Sequence, residues 1–152
     1  MTTANTVSTR GTTTSKVLLA GLVAIVAALV GNAIVAQVAL AAGASEDFQP
    51  LTFGAYAFFT VIGVVAGLVA WLLIRRTAKA AATLRWLVPT VLVVSLVPDV
   101  MIGFSDRAGV SWGAVVALMV MHVVVTVVAV ATFSRLLPVS GTRNEPAGAT
   151  VA

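Results

Sequence analysis

The sequence predicts an all-α fold: an integral membrane four-helix bundle, arranged up-down-up-down with both termini in the cytoplasm (N-in/C-in). Composition is the first observation behind this prediction. The chain of 152 residues is 60% hydrophobic and only 9% charged, with a mean hydropathy of +1.09, whereas a soluble domain carries a far larger charged fraction. The second observation is that apolar residues gather into four stretches of roughly 20 residues or more, the length that a helix needs to cross a ~30 Å hydrocarbon core.

One domain over residues 17–137 contains the predicted transmembrane helices, which cover residues 17–42, 51–74, 84–104 and 112–133. All four stretches are apolar at odd and even positions alike, whereas the strands of a membrane β-barrel alternate. A helix also satisfies its own backbone hydrogen bonds in lipid. Residues 1–16 and 138–152 are dominated by small and polar residues, and we predict that they are disordered cytoplasmic tails.

The basic residues fall on one side of this four-helix arrangement. Nine residues are Lys or Arg, and all but Arg107 precede the first helix, connect the second to the third, or follow the fourth. They are Arg10, Lys16, Arg75, Arg76, Lys79, Arg85, Arg135 and Arg143. The other two connections carry Glu46, Asp47 and Asp106 beside Arg107. The positive-inside rule therefore predicts a protein of the cell (plasma) membrane with both termini in the cytoplasm.

The same charge pattern bears on the partners. The sequence pI is about 10.8, which in a soluble protein would suggest nucleic acid. Here the basic connection and the helix flanks are placed to contact anionic lipid headgroups. We therefore expect the lipid bilayer, and no nucleic acid, as a partner.

A cleavable signal peptide is the alternative interpretation of the first helix. Arg10 and Lys16 precede an apolar run that ends in the small residues of 39–44, which is the general pattern of a secretory signal. Cleavage there would leave three helices and an N-terminus outside the cell. The apolar run has about 26 residues, against 7–15 in a signal peptide, so we favour a retained helix.

Small residues at helical spacing indicate which faces pack. In the second helix, Gly63 and Gly67 form a GxxxG pair, which allows another helix to approach closely. They share a predicted face with Phe53, Tyr56, Thr60 and Ala70. The first helix has a matching face of Gly21, Ala24, Ala28 and Asn32. We favour packing within the bundle, with self-association through the GxxxG pair as the alternative.

Two ionisable residues lie deep within the predicted helices, Asp99 in the third and His122 in the fourth. A charged group at the bilayer centre costs about 2.5–3.5 kcal/mol, so such residues usually face the interior and are paired. At ~1.5 Å per residue, Asp99 lies at a depth similar to Asn32 and Tyr56, with His122 about a turn or two deeper. We therefore predict a polar cluster of these four residues in the outer half of the membrane.

The chemistry open to this cluster is binding of a small polar ligand or transfer of a proton, because the unperturbed pKa of histidine, ~6.5, lies near working pH. Structural roles stay open as alternatives. Asp99 could cap a turn after Pro98, where the missing N–H of proline predicts a kink or an early helix end. His122 could be a neutral imidazole bonded to a neighbouring helix, and Asn32 could simply join two helices.

The residue types present exclude several other functions. There is no cysteine and only one histidine, so a single chain cannot complete a zinc site. The sequence has no GxSxG elbow, no HExxH motif and no phosphate-binding glycine loop. We therefore expect no enzymatic activity, no catalytic residues, no metal and no cofactor.

Short motifs in the third and fourth helices resemble a known family. They are Leu96-Val97-Pro98-Asp99, Leu118-Met119-Val120-Met121-His122 and, at the cytoplasmic end, Leu136-Leu137-Pro138. Over residues 17–138 the chain resembles a family of small four-helix bacterial membrane proteins classed only as a domain of unknown function. The resemblance implies the four-helix fold and draws attention to Asp99 and His122, and it implies no activity.

Taken together, these features predict a non-enzymatic accessory or interaction protein of the membrane, which binds a membrane-protein partner or forms a homo-oligomer. The alternative is a small transporter or proton-coupled ligand-binding protein that uses the pair Asp99 and His122. Four helices are few for a transporter, which usually needs more of them to line a path.

Overall fold

The computed structural model describes residues 14–139, which form the four α-helices α1 (Thr14–Ala41), α2 (Phe53–Ile74), α3 (Ala80–Gly103) and α4 (Trp112–Leu136). A 3-10 turn, Gln49–Leu51, precedes α2. These residues contain no strand, and each helix is long and apolar enough to span a membrane. The predicted all-α fold of four membrane-spanning helices is therefore confirmed. Most of the two predicted tails, residues 1–13 and 140–152, lies outside the described residues.

The observed helix ends differ from the predicted ones by a few residues. α3 starts at Ala80 rather than at residue 84, because Ala80 is buried and begins a run of alanines with high helix propensity. α4 continues past residue 133 to Leu136, since Phe133 and Leu137 are both buried and hold this segment against the bundle. α3 does not end early at Pro98 but continues to Gly103.

α4 is the central helix of the bundle. It contacts α1, α2 and α3, and its interface with α1 is the most extensive in the molecule. α1 also packs against α2, whereas α2 and α3 contact each other only sparsely. α3 is therefore attached to the bundle mainly through α4.

The bundle has two chemically different ends. We call residues 42–52 and 104–111 the acidic end, and residues 14–17, 75–80 and 135–139 the basic end. The two connections of the acidic end pack directly on each other at Gly109, which has a φ of +73°. A Cβ atom at Gly109 would lie 2.7 Å from the backbone nitrogen of Phe48, so both the backbone conformation and the space require glycine here.

The packed face of α1 consists of small residues at every fourth position: Ala20, Ala24, Ala28, Asn32 and Ala36 are all buried. Such a row forms a shallow ridge along the helix, which lets α4 approach closely. A Cβ atom at Gly31 would lie only 2.6 Å from Cγ1 of Val124 on α4. The packing face predicted for the first helix, which includes Gly21, is confirmed as buried.

The packed face of α2 agrees with the predicted one at Tyr56 and Thr60 but does not include Gly63. Its buried residues are Tyr56, Thr60, Val64 and Trp71. Gly63 faces outward, and a Cβ atom there would meet nothing within 4 Å, while one at Gly67 would lie 4.0 Å from the ring of Phe133. The bulkier Val64 and Trp71 are turned inward because they fill space beside Phe133. Within the chain, only one glycine of the GxxxG pair thus faces a neighbouring helix.

Two groups of buried side chains form the core. The group nearer the basic end includes Trp71 and Phe133, whose ring centroids lie 5.9 Å apart. The indole nitrogen of Trp71 also donates a hydrogen bond of 2.9 Å to the carbonyl oxygen of Leu137, which joins α2 to the end of α4. The group nearer the acidic end contains Phe48, Tyr56 and Leu118. Each group holds one end of the bundle together.

The outside of the bundle is apolar along every helix. Large side chains such as Leu22, Phe59, Val93 and Val127 are exposed. In water, contiguous apolar surface of this kind marks a site of association or aggregation, but in a bilayer it contacts acyl chains. The chain is therefore a multi-pass membrane protein.

The close α1–α4 interface predicts the effect of enlarging one alanine. Ala28 is fully buried, whereas the adjacent Ala27 is exposed. We expect Ala28→Leu to lower the free energy of unfolding by about 1–3 kcal/mol, because the larger side chain overpacks the interface. Ala27→Leu should leave it nearly unchanged. Denaturant titration in detergent micelles measures both variants, and equal effects would contradict the assigned face.

Candidate functional site

The structure brings Asp99 and His122 together at the interface of α3 and α4. Nδ1 of His122 lies 2.9 Å from Oδ2 of Asp99. Asp99 makes this contact from the last turns of α3, and His122 makes it from the first half of α4. Asp99 has no other ionic partner within residues 14–139, so Arg107 does not pair with it.

Helix direction explains why the two side chains meet. Contacts between α3 and α4 pair Gly103 with Trp112 and Asp99 with His122, so the two helices run antiparallel. Every Cα–Cβ bond of a helix is tilted toward its N-terminus. Asp99 and His122 therefore lean toward each other along the helix axes, which closes the difference in height between them.

An aromatic contact fixes the end of α3 beside this pair. The rings of Phe104 and Trp112 lie 5.2 Å apart in a T-shaped arrangement. A Cβ atom at Gly103 would lie 3.0 Å from the Trp112 ring, so the indole packs directly over the last turn of α3. This contact holds α3 at the level where Asp99 meets His122.

One ring nitrogen of His122 lies close to two oxygen atoms. Nδ1 also lies 3.0 Å from the carbonyl oxygen of Leu118, one turn earlier in α4. Both oxygens are acceptors, so Nδ1 carries the proton, an assignment inferred from its partners. The N–H has good hydrogen-bond geometry toward Leu118, whereas Oδ2 of Asp99 is within ion-pair distance but outside that geometry. Asp99 therefore places a carboxylate beside the same ring nitrogen that faces the Leu118 carbonyl.

The two side chains differ in accessibility. The side chain of His122 is 39% exposed and that of Asp99 only 7%. Nε2 of His122 has no hydrogen-bond partner within residues 14–139. Of the two side chains, the imidazole is therefore the more accessible, and the carboxylate lies behind it.

Asn32 lies in a separate polar contact between α1 and α2. Its side-chain nitrogen donates a hydrogen bond of 2.8 Å to Oγ1 of Thr60, and both residues are buried. Within residues 14–139, Oδ1 of Asn32 has no hydrogen-bond partner. The structure thus places Asn32 in a helix–helix contact, as the interhelical alternative describes, and away from Asp99.

Tyr56 lies in a third location, at the acidic end. It belongs to the buried group around Phe48 and Leu118, and its ring lies 5.5 Å from that of Phe53. Of the four residues predicted to form one cluster, only Asp99 and His122 meet. The physical reason is that α3 docks mainly on α4, and Asp99 lies on the side of α3 that faces α4.

The sequence did not predict two groups that position the pair: the carbonyl of Leu118, which contacts the imidazole, and the ring of Trp112, which packs on the end of α3. The Leu118 carbonyl is recognisable in principle, because the residue four positions before a helical histidine offers its carbonyl to that side chain. The role of Trp112 depends on the docking of α3 on α4, for which the sequence has no local signal.

Comparison with known proteins identifies a family. The model of a family described as a family of unknown function, DUF6069, matches residues 12–138. This range includes all four helices and the Asp99–His122 pair. No curated protein and no solved structure matches the chain.

The contact between Asn32 and Thr60 predicts a compensating pair of substitutions. Thr60→Val removes the hydroxyl and leaves the buried amide of Asn32 unsatisfied, so we expect it to lower the free energy of unfolding by about 1 kcal/mol. Adding Asn32→Ala should recover part of that loss, because the double variant buries no unpaired amide and no side chain larger than the native ones. The control is Thr90→Val, an exposed threonine of α3. Denaturant titration measures the two single variants and the double variant. Stability losses of the single variants that simply add in the double variant would disprove the contact.

Proposed function

Because the chain belongs to the family of unknown function DUF6069, we propose its function from its own residues: a non-enzymatic protein of the cell membrane that binds and releases a proton at the Asp99–His122 pair. The observation that carries this proposal is the 2.9 Å contact between a buried carboxylate and a partly exposed imidazole. Ionisable residues within transmembrane helices are costly to insert, so such pairs commonly serve proton or ligand binding.

Electrostatics support a change of one proton at this pair. With His122 protonated, an imidazolium faces a carboxylate and the pair is neutral as a whole. With His122 neutral, the carboxylate is left without a cation, because Asp99 has no second ionic partner within residues 14–139. Loss of a proton from the imidazole therefore removes most of the electrostatic attraction between α3 and α4.

The proposal includes an orientation. The positive-inside rule puts the basic end and both termini in the cytoplasm, so the acidic end faces the outside. Asp99 lies one turn from the end of α3 that joins the acidic end. The pair is accordingly reached from the outside, and it responds to external rather than cytoplasmic pH.

Nuclear magnetic resonance of the imidazole tests this function directly, because the chain has a single histidine. In nanodiscs containing ¹⁵N-histidine-labelled protein, we expect one titrating imidazole signal between about pH 4 and 9. Asp99→Asn should move the midpoint by about one pH unit or more, because the carboxylate charge beside Nδ1 is gone. Asp106→Asn removes the same charge from the exposed acidic end and should leave the midpoint in place.

Two results would contradict the proposal. An imidazole that keeps one protonation state across this pH range binds no proton. A midpoint that is the same in the wild type and in Asp99→Asn shows that the carboxylate does not affect proton binding at the imidazole. In either case the contact between Asp99 and His122 serves only to hold α3 on α4.

A second candidate function, that of an accessory or interaction protein, is supported by the small buried area of α3. Only Ala80, Leu84 and Asp99 are buried in this helix. Its outward face, which includes Trp86 and Val93, is exposed and is available to a helix of a second copy. This arrangement would use α3 as the contact helix of a homo-oligomer.

The absence of cysteine allows a clean test of this second function. In liposomes, Val93→Cys places a unique thiol on the exposed face of α3, and Val26→Cys places one on the exposed face of α1. We expect oxidation to give a disulfide-linked dimer with Val93→Cys and monomer with Val26→Cys. Equal yields of dimer, or none at all, would argue against self-association through α3.

A further inference from the structure

A cleft lies at the acidic end, away from the Asp99–His122 pair. It has a volume of about 210 Å³ and is bounded by the last turns of α1, the connection to α2 and the first turn of α2. Its lining combines the polar residues Gln37, Glu46, Thr52 and Tyr56 with apolar ones such as Phe53. Neither the proton site nor the α1–α4 interface uses these side chains.

Three of the polar side chains offer oxygen atoms without a protein partner. Within residues 14–139, Glu46 makes no ion pair, and neither Gln37 nor the hydroxyl of Tyr56 makes a hydrogen bond. Tyr56 as a whole is only 8% exposed. Its unpaired hydroxyl oxygen, however, is not fully buried. The hydroxyl of this buried tyrosine therefore keeps an opening, and the cleft that Tyr56 lines provides it.

Aromatic rings form part of the wall. Phe53 is largely exposed, and its ring stands edge-to-face against Tyr56, with an interplanar angle of 84°. The face of an aromatic ring attracts a cation placed over it. The aromatic wall of the cleft and the carboxylate of Glu46 thus both favour a cation.

The cleft is held in shape by its surroundings. Oγ1 of Thr52 donates a hydrogen bond of 2.7 Å to the carbonyl oxygen of Gln49, and the backbone nitrogen of Tyr56 donates one to Thr52. Phe48 is buried beneath the connection, where the 104–111 segment packs on it at Gly109. Sites that bind small molecules are usually preformed in this way.

We propose that this cleft binds a primary ammonium group. An ammonium has three N–H donors and one positive charge; the donors match the unpaired oxygens of Gln37, Tyr56 and Glu46, and the charge matches the carboxylate of Glu46. A quaternary ammonium has no N–H and would leave the acceptors of Gln37 and Tyr56 unused. The acidic end carries three carboxylates and the single Arg107, so its net charge also favours a cation over an anion.

Two sources present this chemistry at a membrane surface: the headgroup of phosphatidylethanolamine and a free primary amine in solution. The test uses the full-length chain in nanodiscs of phosphatidylcholine and follows its thermal unfolding midpoint. Ethanolamine should raise the midpoint, whereas choline should not. A rise on including phosphatidylethanolamine in the bilayer, with no response to ethanolamine, identifies the lipid as the source. A response to ethanolamine alone identifies a free amine.

Matched substitutions decide whether the cleft is responsible. Glu46→Gln removes the negative charge from the lining. About tenfold more amine or lipid, or a larger excess, should then be needed for the same rise of the unfolding midpoint. Asp47→Asn changes the neighbouring, equally exposed carboxylate that does not line the cleft, and it should leave the response intact. Tyr56→Phe, which removes only the hydroxyl, should weaken the response to a smaller extent.

The proposal is overturned by any of four results: no response to either source, equal responses to ethanolamine and choline, equal losses in Glu46→Gln and Asp47→Asn, or a Glu46-dependent response to Ca²⁺ in place of the amines. None of them bears on the titration of His122, because the two sites share no side chain.

Discussion

The arrangement of the bundle depends on the close approach of α1 to α4. It requires side chains no larger than those of alanine and asparagine at every fourth position of α1, from Ala20 to Ala36. Because α1 occupies one side of α4 and α2 packs against both, α3 is left with a separate side of α4. This order of docking explains why Asp99 meets His122 and no polar residue of α1 or α2. The small side chains of one helix thus determine which residues can form a site on another.

Polar contacts supplement this packing, since lipid provides no hydrophobic force that draws one transmembrane helix to another. Asn32 and Thr60 join α1 to α2, and the Trp71 indole joins α2 to the chain after α4. Asp99 and His122 join α3 to α4. The first two contacts are buried and uncharged, so they persist across pH. The third is the only one of these three that contains ionisable groups and a partly exposed side chain, which is why the proposed response to pH is placed there.

Hydropathy and length predicted the four helices well, because a helix that spans lipid needs a long apolar run whatever its neighbours are. Counting residues also predicted that Asp99 and His122 lie near enough in depth to meet. The same count placed Asn32 and Tyr56 with them, yet the structure separates all three groups. Depth is a property of each helix alone, whereas contact depends on which helices are neighbours and how they are rotated. The outward position of Gly63 has the same origin, because a GxxxG spacing does not specify which bulky residues compete for the inward face.

Pro98 interrupts the backbone hydrogen bonding of α3 directly beside the proposed site. It has no N–H, so the carbonyl of Val94 lacks the hydrogen bond that would tie the last turn of α3 to the turn before it. The helix nevertheless continues to Gly103, and its last turn is held from outside by the Asp99–His122 contact and by the packing of Trp112. α3 is also the least buried of the four helices. The proposed change of charge at His122 would act on a turn that lacks one internal hydrogen bond, in the helix with the smallest buried share.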